Sequence, residues 1–151
     1  MFENILVCLD GTKFSEATIP IIAELAMHLR SKIILLNVII IPSLLIRVGK
    51  ADLEPVQSTE RLETAEKIAD YLNNTATKLM EKGLDVDCVV VEGAVEESII
   101  ACATAYNASL IALASHNRCK FMRLVFDSIT DFIQSKAGIP VLSINPDSPI
   151  P

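Results

Sequence analysis

Five short apolar runs punctuate the chain: Ile5 to Leu9, Ile33 to Ile41, Val86 to Val91, Leu110 to Ala114 and Pro140 to Ile144. They are continuous rather than alternating and rich in β-branched residues, the pattern of strands buried on both faces of a parallel sheet. Between them the apolar positions switch to helical spacing. Ser15 to Leu29 places Ile19, Ile22, Ala23, Ala26 and Met27 on one face, with Pro20 disturbing the first turns. From about Ser58 to Lys82 a second stripe, Leu62, Ala65, Ala69, Leu72, Ala76 and Leu79, runs toward Gly83, a residue suited to stop a helix. A third helix is expected from Ala94 to Asn107, with Glu96 and Glu97 at its positive end. A fourth is expected from Ser128 to Ala137, with Ile129, Phe132 and Ile133 inward and Gly138 after it.

Strand and helix therefore alternate four times before a closing strand. Right-handed crossovers then place helices on both faces of one sheet, which predicts a doubly wound α/β fold with five parallel strands. A chain of 151 residues suits one domain. That domain is expected over residues 1–145, with a short tail at 146–151.

Composition narrows the class further. Hydrophobic residues make up 51% and charged residues 21%, which excludes a disordered chain and a small disulfide scaffold. Nineteen acids against 13 bases leave a net charge of -6, and aromatics are only 5% with no Trp, so no nucleic-acid or membrane-surface partner is expected. The spacing of Cys8, Cys88, Cys102 and Cys119 fits neither a zinc site nor a dithiol redox motif, and reduced thiols in a cytoplasm suit it best. The opening MFENILVCLD has no basic leader, and the longest apolar stretch, Ile33 to Ile46, is interrupted by Asn37, Pro42 and Ser43. It falls short of the roughly 20 residues that span a bilayer. A cytoplasmic protein is expected.

In a doubly wound sheet, ligands bind beyond the carboxyl ends of the strands, where the winding reverses. The residues to weigh there are Asp10-Gly11-Thr12-Lys13 after the first strand and Ser115-His116-Asn117-Arg118-Cys119-Lys120 after the fourth. Arg123, Asp127 and Ser128 then lead toward the last helix. Asp10 can meet a ligand hydroxyl, or simply cap the turn that follows it. Arg118, Lys120 and Arg123 can hold an anion or form a solvated loop with packing stems. His116 and Cys119, three apart, are the only pair that points to a thiol-dependent hydrolase, and no third orienting residue accompanies them. Cys8, Cys88 and Cys102 sit at apolar positions and read as small core residues.

Across most of its length the chain resembles the universal stress proteins. The resemblance rests on NILVCLDGT at the start, KIILLNVI at the second strand, VEGAVEESII before the third helix and LIALASHNRCKFMRLVFDSITDFIQSKAGIPVLSI near the end. It implies strand order 3-2-1-4-5, in the arrangement of adenine nucleotide alpha hydrolase-like folds. Nucleotide-binding members carry Gly-x-x-Gly, nine residues, then Gly-Ser or Gly-Thr, glycines that let backbone N–H groups approach phosphates. Here Ala114, Asn117 and Asp127 stand at the glycine positions and only Ser128 survives. Ala114 adds one methyl group and Asn117 can still adopt a left-handed conformation. Asp127 brings a carboxylate against a polyphosphate.

The resemblance further implies that Asp10 meets the ribose or base and that Val38 lines the adenine pocket. The vestigial or weak nucleotide site so implied comprises Asp10, Val38, Ala114, Ser115, His116, Asn117, Arg118, Asp127, Ser128 and Ile129. The expected function is a non-enzymatic stress-response or regulatory module with a degraded nucleotide site. The alternative is a switch that binds ATP or AMP with slow or no hydrolysis. No metal is expected. A homodimer is expected through the final strand (Val141, Leu142 and Ile144), which would otherwise leave an open sheet edge. A second contact, with a neighbouring subunit or a partner protein, is expected at the apolar trio Leu44, Leu45 and Ile46.

Overall fold

The computed structural model describes residues 1–40, 58–115 and 123–146. In chain order its elements are β1 (Asn4–Cys8), α1 (Lys13–Glu16), α2 (Ile19–Leu29), β2 (Lys32–Ile39), α3 (Ser58–Met80), β3 (Val86–Glu92), α4 (Val95–Ala105), β4 (Leu110–Ala114), α5 (Arg123–Ala137) and β5 (Val141–Ile144). All five strands pair in parallel, in the order β3-β2-β1-β4-β5. The expected fold is therefore the observed one. The trio Leu44, Leu45 and Ile46 lies outside the described residues, as do His116, Asn117, Arg118, Cys119 and Lys120.

The continuous apolar runs are explained by what covers the sheet. Successive residues of a strand point to opposite faces, so Ile5 and Val7 join Ile33 and Leu35 on one side while Leu6 joins Ile34 and Leu36 on the other. The first face packs against α2 through Ile22 and Ala26 and against α3 through Leu72, Ala76 and Leu79. The second packs against α4 through Ile99 and Cys102 and against α5 through Ile133. Each fully buried Leu or Ile in these layers contributes about 1.5–3 kcal/mol of transfer free energy. Among the described residues no helix is long and apolar enough to cross a membrane.

Three expectations about the helices are corrected. The segment from Ser15 to Leu29 is two helices rather than one, with α2 carrying Pro20 in its first turn. A continuous helix would set the proline ring against the carbonyl four residues earlier, at Glu16, so the chain restarts instead. Met27 is 46% exposed, because the buried face of α2 runs through Ile22, Ala23 and Ala26. The last helix begins at Arg123, five residues before Ser128. With Asp127 in place of a glycine, nothing in the sequence from Arg123 to Ser128 breaks a helix, so the backbone of Arg123, Asp127 and Ser128 belongs to α5 rather than to the loop before it.

Gly83 ends α3 as expected, at φ +85°, and its N–H donates to the Met80 carbonyl at 2.9 Å. Among the cysteines, Cys102 is buried, whereas Cys8 and Cys88 are half-buried and pack against the two cores.

Candidate functional site

The winding of the sheet reverses between β1 and β4, and a cavity of about 150 Å³ opens there, beyond the strand ends. Asp10, Val38, Ala114 and Ile129 all line it, so four of the expected site residues come together. Cys8, Phe14, Ser15, Val95, Ile99 and Thr130 complete much of the wall. Ser115 is not among the lining residues. Its N–H donates to the Ile144 carbonyl at 2.7 Å and ties the ends of β4 and β5 together.

Asp10 is held by a compact turn. Its Oδ1 accepts the Thr12 N–H at 2.9 Å and also the Thr12 hydroxyl. The first of these is an Asx turn, the local alternative to ligand contact that an acid before glycine offers. Gly11 occupies the left-handed region at φ +83°, where a side chain would be strained. Thr12 in turn caps α1, its Oγ1 accepting the Ser15 N–H at 3.2 Å. The buried Ser15 hydroxyl donates to the Thr12 carbonyl at 3.0 Å and accepts the Asp10 N–H at 3.3 Å. Partial burial works to raise the pKa of the Asp10 carboxyl, but the hydrogen bonds from Thr12 and Ser15 outweigh it and hold the group below its ordinary value. Asp10 is therefore a carboxylate at neutral pH.

Tyr71 on α3 stands behind this turn. Its hydroxyl oxygen is buried, with Glu16 nearby but outside hydrogen-bond geometry. Burial raises its pKa, and the Glu16 and Asp10 carboxylates push it further up. On the crevice wall, burial pushes the Cys8 thiol up to about 12, with a smaller contribution from Cys102. It is a neutral S–H under ordinary conditions and no nucleophile. Among the described residues no group of three His, Cys, Asp or Glu side chains could hold a metal ion.

The strand ends beside the crevice are tied by a residue that periodicity alone does not single out. Asn37 interrupts the apolar run of β2, is only 6% exposed, and donates from Nδ2 to the Leu9 carbonyl at 2.8 Å. A lone amide inside a buried strand was the available signal, since such a group needs a partner. Phe14, Val95 and Thr130 were missed because they reach the crevice from three different helical or turn segments, and no spacing within the sequence links them. Of the remaining expected residues, His116, Asn117 and Arg118 lie outside the described residues, and Asp127 and Ser128 are placed by their backbone in α5.

The fold and sequence have clear relatives. The sequence profile of the universal stress protein family matches residues 1–145. The stress response protein NhaX of Bacillus subtilis is 28% identical over 89 residues, 59% of this chain and 54% of that protein, so the match spans about half the length of that relative. Among solved structures, the universal stress protein UspA from Lactobacillus plantarum superimposes with a TM-score of 0.76 at 18% identity, covering 95% of this chain and 98% of that one. A universal stress protein in complex with cAMP superimposes at 0.70 and 14% identity, over 97% of this chain and 98% of the other. At such identities the structural likeness shows the fold. With the profile spanning nearly the whole sequence, the chain belongs to the universal stress protein family.

Proposed function

We propose that this universal stress protein is a non-enzymatic stress-response or regulatory module whose strand-end crevice keeps the apolar half of an adenine site without an effective phosphate half. The observation that carries this reading is the crevice itself. Its described lining is apolar apart from Asp10, Ser15 and Thr130, and it offers about 150 Å³. Pockets for ligands of drug or nucleotide size hold roughly 300–1,000 Å³. Asp10 adds a negative charge at the mouth, and the sequence offers Ala114, Asn117 and Asp127 where phosphate-binding relatives carry glycines. The module works in a cytoplasm as a homodimer paired through β5, an edge strand that among the described residues pairs with β4 alone.

A second reading is a switch that binds ATP or AMP with slow or no hydrolysis. The universal stress protein solved with cAMP supports it, as do Asp10 and Val38 in the crevice wall and Ser128 in the sequence. Titration calorimetry with ATP separates the two. A dissociation constant weaker than about 10 μM, or roughly 7 kcal/mol, is expected from the degraded site, and a tighter one selects the switch.

A further inference from the structure

The crevice between the ends of β1, β2 and β4 has a chemistry of its own, apart from what it lacks for phosphate. Its walls are aliphatic and aromatic, lined by Val38, Val95, Ile99, Leu113 and Phe14. An enclosed apolar cavity of about this volume, lined by Leu, Ile and Phe, accepts a molecule the size of benzene, and the crevice offers walls of the same kind with one side open. One polar group at the rim can orient such a guest. Thr12 donates twice to Oδ1 of Asp10 and Ser15 also bears on the carboxyl, and a carboxylate has about four lone-pair sites, so Asp10 retains acceptor capacity for a ligand donor.

We propose that this crevice binds an uncharged aromatic ring compound carrying one O–H or N–H donor, of the phenol or indole class, with the ring against Phe14 and the Cys8 sulfur and the donor on the Asp10 carboxylate. The inference rests on the reading that the strand-end crevice is the functional site, and it names the ligand class that site takes. Charge sets the selectivity. Asp10 stays ionised, so a carboxylate or phosphate set against it is repelled while a neutral donor gains a charge-assisted hydrogen bond. Cys8 stays protonated, which keeps the wall beside the ring apolar and provides a sulfur contact with its edge.

The test is titration of the full-length protein with phenol, with toluene as the ring that lacks a donor, read by heteronuclear NMR shifts of the crevice residues. Phenol is expected to saturate with a dissociation constant on the order of 1 mM or tighter, with shifts centred on Phe14, Val38 and Ala114. Asp10→Ala, at an exposed position, should weaken phenol roughly tenfold and leave toluene unchanged. Ala114→Phe should abolish both by filling the cavity. Phenol that binds no tighter than toluene, that does not saturate, or that is indifferent to Asp10→Ala overturns the inference. ATP in the same titration separates this inference from the reading it rests on. ATP that binds below about 10 μM and displaces phenol overturns the phosphate-deficient site but supports the ring site. Weak ATP together with no phenol binding overturns the ring site alone.

Discussion

The side-chain amide of Asn37 donates a 2.8 Å hydrogen bond to the carbonyl of Leu9, joining β2 to the first residue beyond β1. The parallel ladder between β1 and β2 registers Asn4 to Cys8 with Lys32 to Leu36, and the Leu9 N–H still donates to Leu36 at 2.9 Å. One residue later the chain turns out of the sheet at Asp10. The Leu9 carbonyl, on a residue only 3% exposed, then needs a partner that the ladder does not continue to supply. Asn37 supplies it, and so fixes the point at which β1 ends and the crevice begins.

Replacing Asn37 with Ala should destabilise the protein by about 1–3 kcal/mol, the cost of a buried acceptor left without its donor. Urea denaturation followed by far-UV circular dichroism measures this. Asn37→Asp should cost more, since a carboxylate facing the carbonyl is both buried and without a donor.

The turn at Asp10 makes stability depend on acid. Because the folded carboxyl is held below its ordinary value, its stabilising contribution is fully present above the unfolded pKa of about 3.9 and is lost as the pH falls through the lower folded value. Asp10→Asn should flatten the fall in urea midpoint below about pH 4. Thr12→Val, which removes one donor and the α1 cap, should move the Asp10 pKa back up, as read by carboxyl-carbon NMR.

Cys8 should resist alkylation although it lines an open crevice. A thiol at about 12 is ionised in only about one molecule in 10⁴ at pH 8, whereas an ordinary cysteine near 8.5 is about one-quarter ionised. Iodoacetamide labelling read by peptide mass spectrometry should find Cys8 modified at least about 100-fold more slowly than an unstructured cysteine peptide.

If the phosphate half of the site is degraded by charge as well as by bulk, Asp127→Gly should strengthen ATP binding more than Ala114→Gly. The first substitution removes a carboxylate along with a side chain, the second only a methyl group. Calorimetry on both variants checks this, and equal gains would remove charge from the explanation.

Pairing through β5 predicts a mass in solution twice that of the chain at tens of micromolar protein, by light scattering. Val141→Lys should yield a monomer that remains folded, since Val141 is only half-buried. Ile144→Lys should instead cost the fold, because Ile144 is 7% exposed and belongs to the core under α2 and α3.

The sequence by itself determined the layered α/β architecture, with the strand order implied by the family resemblance. Continuous apolar runs require cover on both faces, and the helical stripes between them, from Ile22 and Ala26 to Ile133, provide that cover without any appeal to a relative. It also marked Asp10, because strand ends in this topology are where ligands sit, while Ala114 was marked by the family resemblance. Tertiary structure decided what those residues can do. Whether Asp10 faces a ligand or its own turn depends on Thr12 and Ser15, whose hydrogen bonds follow from backbone angles that a residue pattern does not encode. The turn of Met27 toward solvent and the early start of α5 at Arg123 likewise come from packing and from the absence of a breaking residue, which outweigh a periodicity read along one line, whereas the helix break ahead of Pro20 follows from the proline ring. The crevice is the clearest case. Cys8, Phe14, Val95 and Thr130 belong to separate elements, and only the crossing of those elements over the β1 and β4 ends converts unrelated sequence positions into one cavity.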